Sequence, residues 1–147
     1  MQRQPSVLIV DDEKFIRQIL YRIIKRVGFN NIGEAADGVE ALEKFKKTTY
    51  DLVITDIKMP NKDGIELLSE IKATYPQTMV ILITSYTGEY NSQNAKDTGA
   101  DGYITKPFKN TEIAQTLKTL FQKQQLKKLK KKKQASNQQS KIVETGS

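Results

Sequence analysis

Residues with reactive side chains stand at the ends of four apolar runs in this sequence. They are Asp11 and Asp12, Asp56, Thr84 and Ser85, and Lys106. If those ends meet, three carboxylates share one place, repel one another and require a cation to stay ionised. A ligand set made of oxygen atoms alone favours Mg²⁺. A metal ion and a lysine around one carboxylate indicate phosphoryl transfer, with Asp56 as the nucleophile.

Each of these residues has a simpler explanation when it is taken alone. Asp11 and Asp12 could be a pair that caps a helix. Thr84 could be an ordinary strand end, and Lys106 a solvated lysine. Asp56 is harder to explain in this way because the residues before it form an apolar run. The occurrence of all of them at four run ends favours a shared site.

The apolar runs and the segments between them predict five strands that alternate with five helices. The strands are predicted at Ser6–Val10, Asn31–Ala35, Leu52–Thr55, Met79–Ile83 and Gly102–Thr105. The helices are predicted at Lys14–Val27 and Val39–Lys47, around Ile65–Ile71, at about Gly88–Thr98, and from the cap Asn110 through Phe121. This alternation predicts an α/β, doubly wound, five-stranded parallel sheet between two helix layers, a three-layer sandwich. Sites in such sheets form at the carboxyl ends of the strands, where the reactive residues stand.

The absence of two residue types excludes several classes of function. The 147 residues include no cysteine and no histidine. Disulfides, thiolate or imidazole zinc sites, Ser-His nucleophiles and a role as phosphohistidine donor are therefore excluded. The first residues lack the apolar stretch of a signal peptide, and no apolar run approaches the roughly 18 residues of a membrane span. We therefore expect a soluble, cytoplasmic protein.

Four motifs, taken in order, resemble those of the receiver domain of response regulators, the switch proteins of two-component signalling. The motifs are LIVDDE (8–13), DLVITDIKMPNKDG (51–64), ILITSY (81–86) and GADGYITKPF (99–108). The resemblance covers about residues 5–122. We therefore expect a receiver domain in residues 1–122 and a lysine-rich, partly disordered tail in residues 123–147. The resemblance implies the flavodoxin-like fold, with strand order 2-1-3-4-5.

The same resemblance implies roles for the residues of the predicted site. Asp56 would be the phosphoacceptor, and its donor would be a phosphohistidine of a sensor histidine kinase or phosphotransfer protein. Asp12 and Asp56 would bind Mg²⁺, or Mn²⁺ in its place, and Asp11 would act mostly through water. The backbone carbonyl of Lys58 would complete the metal site, and Lys106 would pair with the phosphoryl oxygens.

The resemblance also implies a switch rather than an enzyme that acts on other molecules. Thr84 would donate its hydroxyl to the phosphoryl group and move on activation, and Tyr103 would turn inward with it. Ser85 is suitably small beside the phosphoryl group, and Pro107 would follow a cis peptide bond. The predicted fourth helix, the fifth strand and the predicted fifth helix would form the output face. That face would control a downstream protein, with the receiver a monomer or a phosphorylation-dependent homodimer.

Lys58 and Tyr86 occupy positions that vary among receivers. They stand two residues after the phosphoacceptor and two residues after the threonine, and both side chains are bulky. One hypothesis is that they hinder the attacking water and prolong the life of the phosphoryl group. The alternative is that both side chains point to solvent.

The net charge of +7 lies entirely in the tail. Residues 123–147 hold eight of the 24 basic residues and one of the 17 acidic residues, so residues 1–122 are neutral. Lys123–Lys133 contains seven lysines, and Leu126 and Leu129 could extend the last helix by a turn or two. Three interpretations stay open: a solvated extension, contact with an acidic partner or an anionic membrane, and non-specific binding of nucleic acid. We expect a stand-alone, chemotaxis-type receiver, because no output domain follows.

Three alternative functions share parts of this pattern. A haloacid-dehalogenase-type phosphatase needs an aspartate two residues after the nucleophile, where this chain has Lys58. A receiver-like scaffold without phosphorylation, acting through its basic tail, usually lacks an aspartate or the lysine, and none is missing here. A nucleic-acid binder would show a steep salt dependence that disappears when residues 123–147 are deleted.

Overall fold

The computed structural model describes residues 5–85 and 98–145, and its five strands form one sheet. The strands are β1 (Ser6–Val10), β2 (Asn31–Ala35), β3 (Leu52–Asp56), β4 (Met79–Ser85) and β5 (Gly102–Lys106). All neighbouring pairs are parallel, and the order is β2-β1-β3-β4-β5. The predicted sheet and its order are confirmed.

Four helices cover the sheet in the described part of the chain. They are α1 (Lys14–Val27), α2 (Gly38–Lys47), α3 (Gly64–Thr74) and α4 (Asn110–Thr145). These correspond to the first, second, third and fifth helices expected from the sequence. The remaining predicted helix, at about Gly88–Thr98, falls outside the described residues except for Thr98.

Two hydrophobic clusters lie on opposite faces of the sheet, which confirms the three-layer sandwich. Successive residues of a strand point to opposite faces. Val7 and Ile9 accordingly pack with the apolar sides of α1 and α4, whereas Leu8 and Val10 pack with those of α2 and α3. Strands that are buried on both faces must be apolar throughout, and this is why β1, β3 and β4 appear as continuous apolar runs.

The last residues of three strands are the reactive ones. β3 ends at Asp56, β4 at Ser85 and β5 at Lys106, one or two residues beyond the predicted ends. The parallel register pairs Asp56 with Ile83, and Ser85 with Lys106. The sheet ladder itself therefore holds the backbone of these residues.

Helix α4 is longer than the sequence pattern predicts. It spans 36 residues, well past the one or two extra turns expected after Phe121. No glycine or proline occurs from Phe108 to Thr145, and lysine, glutamine and leucine favour helices. Helical backbone thus occupies most of the segment that was expected to be partly disordered, while a domain boundary at residue 122 stays a prediction. Among residues 5–85 and 98–145, no helix has the apolar length that crossing a membrane requires.

Candidate functional site

Three carboxylates meet at the carboxyl edge of the sheet. Asp11, Asp12 and Asp56 each offer a carboxylate oxygen, and these oxygens lie within 4.8 Å of one another. Asp11 is 1% exposed and Asp56 is 9% exposed, while Asp12 is open to solvent. Oxygen ligands around one point, with one side open for water or phosphate oxygens, fit Mg²⁺. The residues present therefore suit the metal ion that the sequence implies.

Lys106 reaches two of the three carboxylates. Its Nζ lies 3.1 Å from Asp11 Oδ2 and 3.3 Å from Asp56 Oδ2, and its side chain is 14% exposed. The ends of β1, β3 and β5 are thus joined by charge-assisted hydrogen bonds. This arrangement places a positive charge beside the Asp56 carboxylate.

Burial and neighbouring charges shift the pKa values of Asp56 and Lys106. Burial raises the pKa of the Asp56 carboxyl, and the charge of Asp11 adds to the rise, although Lys106 opposes both. Burial lowers the pKa of the Lys106 ammonium, but the charges of Asp56 and Asp11 together outweigh it, so the net pKa is raised. Lys106 therefore stays charged at neutral pH. Asp56 carries a negative charge that a second cation would stabilise.

The connection from β3 to α3 wraps tightly around Asp56. The amide of Ile57 donates to Asp56 Oδ1 at 2.8 Å, and the amide of Gly64 donates to the carbonyl of Ile57 at 2.8 Å. A Cβ on Gly64 would clash with the carbonyl oxygen of Asp56 and would lie 3.0 Å from the Cα of Ile57. Only glycine allows α3 to begin this close to the strand end that carries the carboxylate.

Two aspartates that cap helices also hold the connection between β3 and α3 in place. Asp63 Oδ1 accepts from the amide of Glu66 at 2.8 Å and caps α3. Asp37 Oδ1 accepts from the amide of Glu40 at 2.9 Å and caps α2, while its Oδ2 accepts from Asn61 Nδ2 at 2.7 Å. The bond from Glu40, followed by that from Asn61, keeps the pKa of Asp37 below its ordinary value. The loop between β3 and α3 is therefore tied to the start of α2.

Arg17 and Gly64 support the site, although the sequence analysis assigned neither of them to it. Arg17 Nη1 donates to the carbonyl of Asp11 at 2.6 Å, and its Nε lies 3.4 Å from Glu34 Oε1. The amide of Glu13 donates to Asp11 Oδ1 at 2.8 Å. The Asp-Gly pair at a helix start was a visible signal for Gly64. Arg17 carried no sequence signal that distinguishes it from an exposed helix residue.

The predicted switch residues lie around β4 and β5. Thr84 is 5% exposed, and its hydroxyl donates to the carbonyl of Ser85 at 3.1 Å, while the Ser85 side chain faces solvent. Tyr103 is half-buried and packs against the cluster formed with α2 and α3. Thr84 directly follows Ile83, the register partner of Asp56, so its hydroxyl lies on the strand next to the carboxylate.

Three further residues were predicted to take part in the site: Pro107, Lys58 and Tyr86. The Lys106–Pro107 peptide bond is cis. The side chain of Lys58 is exposed, as the solvent alternative expects for the free protein. Tyr86 lies outside the described residues.

A family model now identifies this arrangement. The model of the response regulator receiver domain matches residues 7–118, a stretch that includes all of the site residues just described. The chain belongs to the response regulator receiver family. This confirms the resemblance found in the motifs, and it makes the chain a module of two-component phosphorelay signalling.

Relatives of this receiver include stand-alone chemotaxis proteins. The chain is 44% identical over 108 residues to the chemotaxis protein CheY of Halobacterium salinarum, covering 74% of this chain and 89% of that protein. It is 35% identical over 125 residues to the chemotaxis protein CheY-3 of Vibrio cholerae, covering 84% and 96%. The chain is thus similar to CheY proteins along nearly their whole length.

Solved receiver structures share the fold. A CheY-like receiver domain protein of Methanospirillum hungatei has a TM-score of 0.78 at 30% identity, covering 85% of this chain and 99% of that one. A receiver domain protein of Clostridium thermocellum has a TM-score of 0.76 at 30% identity, covering 83% and 98%. The flavodoxin-like receiver fold is confirmed.

Proposed function

We propose that this receiver accepts a phosphoryl group on Asp56 from a phosphohistidine of a sensor histidine kinase or phosphotransfer protein. The reaction depends on Mg²⁺, with Mn²⁺ as a substitute, and takes place in the cytoplasm. The observation that carries the proposal is the Asp56 carboxylate, which lies 3.3 Å from Lys106 Nζ and within 4.8 Å of two further carboxylates at the carboxyl edge of the sheet. The chain's membership in the receiver family supports the same chemistry.

The transfer breaks one bond and forms one. A carboxylate oxygen of Asp56 attacks phosphorus, the bond from phosphorus to the donor's imidazole nitrogen breaks, and the imidazole leaves with the bonding electrons. The product is an aspartyl phosphate. The Ile57 amide holds Oδ1, and the Lys106 ammonium stands on the Oδ2 side, where it offsets the charge of the incoming phosphoryl oxygens.

The three carboxylates would hold the metal ion together with one backbone group. Asp12 and Asp56 would bind directly, Asp11 mostly through water, and the carbonyl of Lys58 would complete the set. When bound, Mg²⁺ supplies charge that neutralises the phosphoryl oxygens and helps to align them for in-line attack.

The phosphoryl group would act by shifting a conformational equilibrium. Thr84 would exchange its bond to the Ser85 carbonyl for one to a phosphoryl oxygen, with Ser85 leaving room for the group. Tyr103 would follow Thr84 inward. The altered face would include β5, the adjoining part of α4 and the segment predicted as a helix at 88–98. A downstream protein would bind that face, with the receiver a monomer or a phosphorylation-dependent homodimer.

Phosphorylation is tested by mass spectrometry of the whole chain. Incubation with acetyl phosphate and Mg²⁺ should add one phosphoryl group to the wild type and none to Asp56→Asn. Asp63→Asn is the matched control, because asparagine also caps helices and leaves the fold intact. Chelation of the metal with EDTA should abolish the addition. An unmodified wild type in the presence of Mg²⁺ would contradict the proposal.

The half-life of the aspartyl phosphate tests the role of the two bulky residues, Lys58 and Tyr86. We propose that Lys58 and Tyr86 slow the attack of water on the aspartyl phosphate. Lys58→Ala and Tyr86→Ala should then each shorten its half-life by roughly tenfold, equivalent to about 1.4 kcal/mol in the barrier. Lys46→Ala, an exposed lysine on α2, is the control. Loss of phosphate from the wild type within seconds would refute this role.

A second candidate function would replace the switch if phosphorylation fails. The chain would then be a receiver-like scaffold that acts through its basic tail on an acidic partner, a membrane or nucleic acid. The charge of residues 123–147 is the observation that favours it. The absence of an adduct on a folded wild type would support this candidate.

A further inference from the structure

The lysine-rich part of α4, residues 123–133, takes no part in the receiver chemistry described above. We propose that this segment, together with a basic groove beside it, docks the protein on an anionic lipid bilayer. The proposal does not depend on phosphorylation of Asp56. It rests on where the segment leaves the domain, on its charge and on its two exposed leucines.

Helix α4 leaves the domain just beyond Gln124. Gln124 is 7% exposed, and its Nε2 donates to the carbonyl of Gln77 at 3.3 Å, next to the amino end of β4. Two residues later the apolar side chains are no longer covered. Leu126 is 57% exposed and Leu129 is 60% exposed. Two leucines one helical turn apart therefore face solvent on the same side of the helix.

The charge of the segment has one sign and surrounds the helix. Lys123–Lys133 contains seven lysines, and no acidic residue occurs between Glu112 and Glu144. At 100° per residue, Lys127, Lys128 and Lys130 point in three different directions. A partner protein would need a matching pattern of charges on one face of the helix. The charge of an anionic membrane surface is diffuse, so binding to it depends on how many lysines the segment has and not on their pattern. This segment has seven lysines.

A basic groove runs beside the first turns of α4, from Asn110 to Lys118, and precedes the lysine-rich segment along the helix. It measures about 630 Å³ between α1 and α4, and Arg22, Arg26 and Lys118 line it above the buried Ile23. The ring of Phe121 packs edge-on against Phe29, with the centroids 5.5 Å apart, so the end of α1 lies beside the last domain turn of α4. Helix α1 contains no acidic residue. The end of the groove that carries Arg26 and Lys118 therefore lies towards the lysine-rich segment and adds positive charge next to it.

The exposed leucines favour a bilayer over nucleic acid. Leucine gains free energy by entering the apolar boundary of a bilayer, while neighbouring lysines extend to the headgroups. Leucine gains nothing comparable from a phosphate backbone. The segment also lacks the arginine and aromatic side chains that stack on bases.

The orientation leaves the candidate phosphorylation site accessible. Asp56 lies at the carboxyl end of β3, whereas Lys128 lines a depression with Thr49, Tyr50 and Asp51 just before the amino end of that strand. The two surfaces are separated by the length of the strand. A bilayer bound at the amino edge would leave the carboxyl edge facing solvent.

Sedimentation of the full chain with vesicles tests the proposal. Vesicles of phosphatidylcholine with about 30 mol % phosphatidylserine should bind the protein at about 0.15 M NaCl, and phosphatidylcholine alone should not. Lys127→Gln with Lys128→Gln should weaken binding by about 25-fold, because one lysine near the surface is worth roughly fivefold. The pair Lys14→Gln with Lys109→Gln removes equal charge from exposed positions that follow the carboxyl ends of β1 and β5, and it should change binding by less than about twofold.

The leucines separate a bilayer from other anionic partners. Leu126→Gln with Leu129→Gln should weaken vesicle binding by about tenfold and leave binding to a random-sequence DNA duplex unchanged. Circular dichroism melts of all variants confirm that the domain is folded. The proposal is overturned if the vesicles do not bind, if both lysine pairs have equal effects, or if the duplex binds more tightly than the vesicles.

Discussion

Replacing Gly64 with alanine should slow the phosphorylation of Asp56 by about a hundredfold, the cost expected when a reacting group is displaced by about 1 Å. The same change should destabilise the fold by about 2 kcal/mol, a cost typical of adding a methyl group to a packed site. Thermal melts and the time course of acetyl phosphate labelling measure the two effects.

We expect both effects because the atoms nearest to an added Cβ on Gly64 belong to the backbone, which cannot rotate away as a side chain can. A Cβ at this position meets the carbonyl oxygen of Asp56 and the Cα of Ile57. The clash can be relieved only if the start of α3 moves away from the end of β3. That movement would break the bond from the Gly64 amide to the Ile57 carbonyl, and with it the support of the Ile57 amide on Asp56 Oδ1.

Gly102→Ala is a matched control on the same sheet. Its added Cβ would lie 3.2 Å from Cγ1 of Ile81 and 3.3 Å from Cγ2 of Thr116, so these contacts need to open by only a few tenths of an ångström. We expect a stability loss below about 1 kcal/mol and an unchanged labelling rate. If Gly64→Ala behaves like Gly102→Ala, the close approach at Gly64 does not position the carboxylate.

The sequence predicted the sheet well because burial on both faces leaves a strong signal. β1, β3 and β4 are continuous apolar runs, and parallel strands bring their carboxyl ends to one edge. The strand pattern alone therefore predicts that Asp11, Asp12, Asp56 and Lys106 share one edge of the sheet. β2 was the weaker strand in sequence, because it lies at the sheet edge and only Ala35 is fully buried.

Distances and loop paths could not be predicted from the same pattern. Lys106 was expected to meet phosphoryl oxygens, but its contact with Asp11 depends on rotamers that strand periodicity does not specify. The role of Gly64 depends on the path of residues 57–63, where Asn61 has a positive φ of 67°. The polarity of the tail predicts a shorter α4 than its lysine, glutamine and leucine content supports, because these residues favour helices.

Asp56 and Lys106 should have opposite effects on stability when either is neutralised. Without Mg²⁺ at pH 7, Lys106→Met should destabilise the protein by about 3 kcal/mol, because it leaves two buried carboxylates without a positively charged partner. Asp56→Asn should stabilise it by on the order of 1 kcal/mol, the typical size of a single polar interaction. Urea unfolding in EDTA measures both changes. Lys109→Met, an exposed lysine near Lys106 in sequence, is the control.

The stability changes caused by Asp56→Asn and Lys106→Met should both depend on pH. The folded pKa of Asp56 lies above its ordinary value of 3.8, so the folded chain binds this proton more tightly than the unfolded chain does. Tighter proton binding by folded Asp56 stabilises the fold, and this stabilisation is fully present below pH 3.8. It is lost as the pH rises through the raised pKa that Asp56 has in the folded state. The advantage of Asp56→Asn should therefore be absent near pH 3.8 and grow towards neutrality. The deficit of Lys106→Met should grow over the same window.

Metal addition should separate charge repulsion from simple packing. If Asp56 destabilises the free protein through burial and the nearby charge of Asp11, added Mg²⁺ should raise the unfolding midpoint of the wild type. The rise should be much smaller in Asp56→Asn, because one of three carboxylate ligands is gone. A stability advantage of Asp56→Asn that is independent of pH and equal with and without Mg²⁺ would mean that the asparagine packs better. In that case the raised pKa of Asp56 would not be the cause.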